Sequence, residues 1–392
     1  MKAWILKVAG ACWIAACCQG LHAEPPENAI EDPARWDIGD TTRDLRPLLD
    51  AMTAAVLAAD VEGYLECVDL SDPIFAQEQR NWAKDFARVK AESFSVEVAN
   101  AASDGTGRVA ATMTMSWKVG GKQPIERKVS FPARFAEPAD DVESPHGPWL
   151  FAGERWNEIN TPHVRVCYAD GLGEIARRVS ELLPEVREHV HEGFGISVAR
   201  PQTVKLYASM KHLQQSIYLS YADSLSGWNE PGESIKLLTG RRSGSAELKQ
   251  LLAHEYGHVV TFEMGPKATL APWWVLEGVA ELAAEKYAGR AFERMVTRWA
   301  QQDKLVPWER MADFHNARDE DTIFVYNQGH HMLAYVTERF GRASRNNWLT
   351  SMAAGNPLDV ATHSAFGITF AELDQQWRMM LAQGEHAPAR GE

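Results

Sequence analysis

The segment His254-Glu255-Tyr256-Gly257-His258 leaves this chain few choices. On a helix of 3.6 residues per turn the two histidines lie one turn and roughly 40° apart, and Glu255 falls beside His258. The stretch from Ser245 to Gly289 predicts two such helices. Ser245 is placed to cap the first, Gly265-Pro266 to end it, Pro272 to open the second and Gly289 to close it. Leu248, Leu251, Leu252, Val259 and Phe262 share a neighbouring face, so Glu255 is drawn toward the interior, where an unpaired carboxylate is costly. A metal resolves the conflict: two neutral imidazoles one turn apart chelate Zn²⁺, and the adjacent carboxylate takes a proton from an attacking water. Catalytic zinc needs a third protein ligand, and Glu277 on the second helix, with eighteen residues between it and His258, is the candidate. Glu281, one turn further, is placed to accept a hydrogen bond from a ligand histidine.

These residues carry a family resemblance. His254, Glu255, His258, Trp274, Glu277, Gly278, Ala280 and Glu281 match, position by position, the HExxH motif and the later W-L-x-E-G-x-A-E segment of the gluzincin metallopeptidases. The chain from about 162 to 382 resembles most closely their peptidase MA-like domains. Val275 stands where leucine is usual, an apolar exchange that touches no ligand. The resemblance implies one Zn²⁺ per chain on His254, His258 and Glu277, with Glu255 as general base and Glu281 behind a ligand. Tyr326 and Gly329 form a Tyr-x-x-Gly pattern similar to one that supplies a phenol to the tetrahedral oxyanion in related gluzincins, which makes Tyr326 a catalytic candidate. A tyrosine packed at a helix start is the alternative. His330 and His331 follow as lesser donor candidates, since a histidine on a helix is more often structural. Gly227-Trp228-Asn229 and the run from Glu233 to Leu238 precede the first helix where zincins resemble one another in having an edge strand along the active site. Such an edge can pair with an extended peptide; an ordinary strand covered by loops is the other reading.

The remaining chain divides around this unit. Residues 1–23 carry Lys2 and Lys7, then an apolar run from Val8 to Ala16 and no acid, which reads as an export signal too short to span a membrane. Two cleavage readings stay open. A lipobox-like Ile14-Ala15-Ala16-Cys17 would lipidate Cys17 and tether the protein to a membrane, and ordinary processing would follow Leu21-His22-Ala23. Both predict a periplasmic or secreted protein. Residues 24–40 are rich in proline and acid and read as a linker. From 41 to 158, helical periodicity over Leu45 to Val68 and Gln77 to Lys90 gives way to alternation from Phe94, Arg108, Arg127 and Trp149 onward. That order predicts an α+β accessory domain and loosely resembles the NTF2-like cone. The expected whole is a two-domain α+β protein, with a mostly helical zincin-type domain over 159–385 and a polar tail from 386.

Loss of residues 1–23 removes two lysines and takes the formal charge from −13 to −15, which argues against nucleic acid or an anionic membrane surface as partner. Cys67 and Cys167 would be the cysteines left, either bridged or buried as thiols. The function expected is zinc-dependent hydrolysis of peptide or protein substrates. An exported binding protein with a structural zinc, or a hydrolase of a non-protein amide such as one in the cell wall, are the alternatives.

Overall fold

The computed structural model describes residues 38–383, apart from 104–106, 122–123, 139–144, 241–243, 289–290 and 315–317. The export signal, most of the linker, Gly289 and the tail lie outside the described residues.

The chain opens with helices α1 (Ile38–Ala58), α2 (Val61–Leu65) and α3 (Pro73–Arg88), followed by strands β1 (Ala91–Ser103), β2 (Arg108–Val119), β3 (Ile125–Ala136) and β4 (Leu150–Glu154). The four strands form an antiparallel sheet in sequence order. Along β2 every second residue is buried: Val109, Ala111, Met113, Met115, Trp117 and Val119 all face inward. Period-two alternation puts one set of side chains on one face, and Leu48, Met52, Trp82 and Phe86 from the helices close over it. The helix expected over Leu45 to Val68 is two: Ala59 takes a left-handed φ of 58°, and Asp60 starts α2 by accepting the Gly63 amide at 3.0 Å.

A strand expected from Trp149 to Trp156 ends at Glu154, because the chain there leaves the first sheet for a second. Strands β5 (Asn157–Asn160), β6 (Val164–Tyr168), β7 (Gln202–Tyr207), β8 (Gly227–Trp228) and β9 (Ile235–Leu238) are ordered β5-β6-β7-β9-β8. The central pairs are parallel, and β5 and β8 run antiparallel at the two edges. Helix α4 (Gly173–Phe194), closed by Gly195 at φ 68°, crosses between β6 and β7, and α5 (Met210–Ile217) follows β7.

Helices α6 (Ser245–Glu263), α7 (Trp273–Ala284), α8 (Ala291–Gln301), α9 (Thr322–Ala353), α10 (Leu358–Phe366) and α11 (Phe370–Ala382) complete the molecule. Ser245 is the first residue of α6 rather than its cap. Gly244 holds the cap position, its amide bonded to Glu247 Oε2 at 2.9 Å, while Ser245 Oγ accepts from Arg178. Helix α9 breaks at Gly341, with φ 85°. Cys67 and Cys167 are free and buried in different clusters. Burial pushes the Cys67 thiol up to about 12 and Cys167 to about 11, so both stay protonated. No described helix is long and apolar enough to cross a membrane.

Helices α7 and α9 cross with backbone against backbone. A Cβ on Gly278 would lie 2.7 Å from the Gly329 carbonyl carbon, and one on Gly329 would lie 2.2 Å from the Trp274 oxygen. Only a glycine pair permits that approach, and it sets Tyr326, one turn before Gly329, against His254 in the middle of α6.

Candidate active site

Helix α6 presents two imidazoles on one side, their ring centroids 5.0 Å apart, and α7 lays Glu277 across them. Glu277 Oε2 is 3.5 Å from His254 Nε2 and 3.6 Å from His258 Nε2. The three side chains are buried, and their ligand-type atoms lie within 4.8 Å of one another. His258 Nε2 and Glu277 Oε2 are buried without a hydrogen-bond partner. Native interiors seldom leave such atoms unpaired, and two nitrogens with one carboxylate oxygen aimed at a common point are a donor set that fits Zn²⁺.

Two of the remaining atoms of these groups are held, while His258 Nδ1 is buried without a partner. Trp273 Nε1 donates to Glu277 Oε1 at 2.9 Å, fixing the carboxylate so that only Oε2 faces the histidines. His254 Nδ1 lies 3.2 Å from Glu281 Oε1, which turns Nε2 inward. Burial alone would raise Glu277 and lower His254. The histidines reverse the first and hold Glu277 at about 2, while Glu277 and Glu281 reverse the second and raise His254. Glu255 is different: burial pushes its carboxyl up, and His254 and His258 only partly offset that. Its Oε2 has no partner. A buried carboxylate of raised proton affinity beside the ligand set has what a general base requires.

The opposite wall is β8. A Cβ on Gly227 would lie 2.1 Å from Glu255 Oε1 and 2.9 Å from its Cγ, so the edge strand presses its bare backbone on the carboxylate. Tyr326 stacks its ring on His254, 6.0 Å between centroids and 22° between planes. Of the lesser candidates, His331 is used elsewhere: its Nδ1 accepts from Trp377 Nε1 at 3.0 Å in the core. His330 is buried with its Nε2 3.9 Å from Glu285 Oε1, at the C-terminal end of α7.

Three contacts of the site were not read from the sequence. Trp273 had a signal, standing four residues before Glu277 on one helix face. Gly227 was expected on an edge strand along the site, but its contact with Glu255 had no signal, because the two lie on different elements. Tyr221, buried with its hydroxyl unpartnered, packs on Trp228 at 5.3 Å. Burial, then Asp223 and Glu277, raises its phenol well above the usual range, so it stays a donor.

A ligand pair at i and i+4, a carboxylate from the following helix and a buried acid on the first helix define the zincin class of metal centre. The chain belongs to the Peptidase MA superfamily, whose family model matches residues 186–383. No curated protein matches it in sequence. Among solved structures it is similar to an M1 zinc metallopeptidase from Deinococcus radiodurans, at 17% identity and a TM-score of 0.37, over 76% of this chain and 65% of that one. It is similar also to native yeast LTA4 hydrolase, at 9% identity and a TM-score of 0.35, over 75% and 68% of the two chains. This chain thus spans just under two thirds of the length of the first of these.

Proposed function

We propose that this chain is an exported zinc-dependent peptidase that cleaves peptide bonds with Glu255 as general base. The observation that carries this is the buried, unpartnered Glu255 carboxylate set beside a three-residue ligand cluster on one pair of helices. His254, His258 and Glu277 would hold the zinc, one ion per chain, and the ion when bound supplies Lewis acidity to the scissile carbonyl and lowers the pKa of water. Glu255 takes the proton of the attacking water at its carboxylate and passes it to the leaving amine. Glu281 holds the His254 ring, and Tyr326 donates its phenol proton to the developing oxyanion. The substrate chain lies along β8, whose outer edge has no strand beside it among the described residues, with the Gly227 backbone against Glu255. Residues 1–23 carry the protein out of the cytoplasm, with Cys17 the lipid attachment point if the lipobox is used. The N-terminal unit follows the element order of an NTF2-like cone and serves the peptidase unit rather than a catalytic site of its own.

The test is zinc content together with hydrolysis of a mixed peptide library by wild type and Glu255→Gln. Zinc in both, cleavage by wild type, and loss of at least about a thousandfold in the variant are the expected results. Zinc in both with cleavage in neither would overturn the peptidase reading in favour of a non-protein amide or a binding role. Full activity in the variant would overturn the assigned base.

A further inference from the structure

Segment 215–236 runs from the end of α5 through β8 to β9, and its middle carries Gly227. Both of its ends are held by the N-terminal unit. On the entry side, Trp82 Nε1 donates to the Gln215 carbonyl at 3.1 Å and Trp117 Nε1 to the Leu219 carbonyl at 3.0 Å. Leu219, fully buried, sits in the core of the N-terminal unit among residues more than sixty positions earlier. Asp85 accepts from the Ser220 amide at 3.1 Å and from its hydroxyl at 2.6 Å. On the exit side, Asn81 Nδ2 donates to Glu230 Oε2 at 3.0 Å and to Glu233 Oε1 at 2.6 Å. Glu78 accepts from Ser234 Oγ and from Lys205 Nζ, while Lys236 Nζ donates to Glu233 Oε2 at 3.0 Å.

This is a buried polar network of three glutamates and two lysines. Three carboxylates against two ammonium groups leave one negative charge in excess. Burial and then Glu233 raise the Glu230 carboxyl, the direction that relieves this excess. Such a network is costly to bury and tolerates only one arrangement, so it fixes geometry more than it adds stability. The groups it fixes, Glu230 to Lys236, are joined to Trp228 through Asn229 alone and to Gly227 and Trp228 by the β8–β9 pairing.

We propose that Asn81, Trp82 and Asp85 on α3 are positioning residues for catalysis: the N-terminal unit clamps both ends of the active-site edge strand and thereby sets the approach of Gly227 to Glu255. The proposal rests on the peptidase reading for its kinetic consequence and on geometry alone for the clamp. Asn81 is the joint to cut. Asn81→Leu keeps the branching of the side chain in a larger apolar group and removes the two donated bonds, leaving Glu230 and Glu233 without that donor.

The experiment uses the full chain, with Arg80→Ala, on the exposed face of the same helix, as control. Hydrogen exchange is followed over 218–238 and over α6 and α7, alongside zinc content, kcat and KM. In Asn81→Leu, exchange over 218–238 should rise at least tenfold while α6 and α7 keep their protection and zinc stays bound. With a peptide substrate, KM should rise and kcat fall, so that kcat/KM drops about ten- to a hundredfold. Arg80→Ala should leave all four readings as in the wild type. A variant that merely folds less well would lose zinc and apparent kcat together with KM unchanged, and that pattern overturns the proposal. Unchanged exchange over 218–238 also overturns it. If the wild type cleaves no peptide, the peptidase reading falls, and the exchange readings still decide the clamp.

Discussion

At the scale of single residues, the site depends on a side chain that is missing. Gly227 lets β8 lie against Glu255, and a methyl group there would come within 2.1 Å of Oε1. Gly227→Ala should leave the ligands His254, His258 and Glu277 intact and displace the base, with zinc retained and kcat reduced roughly a hundredfold, as measured by metal analysis and steady-state kinetics. Wild-type turnover would show that the base is placed by other contacts. The cluster of His254, His258 and Glu277 was legible in the sequence because a helix brings i and i+4 together whatever surrounds it, and because Glu277 sits in a second helix close in the chain. The contact of Gly227 with Glu255 was not, since nothing local distinguishes a glycine that touches a carboxylate from one that makes a turn.

Single elements show the same division. Helix α3 begins at Pro73, four residues before the Gln77 expected from apolar spacing, because Asp72 caps it. Asp72 Oδ1 accepts the Ile74 and Phe75 amides at 2.9 and 3.1 Å, and its Oδ2 accepts from Arg165 at 2.7 Å. An aspartate followed by proline is a helix start that periodicity alone passes over. Burial works to raise the Asp72 carboxyl, and Arg165 with the two amides outweighs it, so the native pKa lies below the ordinary value. A lowered acid stabilises the fold above its unfolded pKa, near 3.9, and that contribution is lost as pH falls through the lower native value. Asp72→Ala should cost about 1 kcal/mol at neutral pH, with the gap to wild type closing in acid. Thermal melts of both proteins at pH 7 and pH 3 check it, and a gap independent of pH would assign the loss to something other than the carboxylate. The network that α3 carries on its other face, through Glu78, Asn81 and Asp85, has no comparable signature, since each partner lies more than 120 positions away.

For the whole molecule, a metal bound across α6 and α7 is a contribution to stability as well as to chemistry. Glu255 and Glu277 are buried carboxylates, and Glu277 Oε2 lacks a partner of its own. Chelation should therefore abolish hydrolysis and lower Tm. At a free zinc concentration a hundredfold above Kd the bound ion contributes about 2.7 kcal/mol, enough for a fall of roughly 5–10 °C. Scanning fluorimetry with chelator and after zinc is restored checks this, and a Tm indifferent to both would remove the metal from the account of the fold. By itself the sequence determined the features that depend on short spacing: the ligand pair on α6, Glu277 and Glu281 on α7, and the change from helical to alternating periodicity that separates α1–α3 from β1–β4. Only the tertiary structure decided the rest. The α7–α9 contact through Gly278 and Gly329, the Gly227 wall against Glu255, and the hold of α3 on segment 215–236 each join residues far apart in sequence. Such contacts form because complementary surfaces exclude water and satisfy buried polar groups across the chain, and neither condition leaves a periodic trace in the residues that meet it.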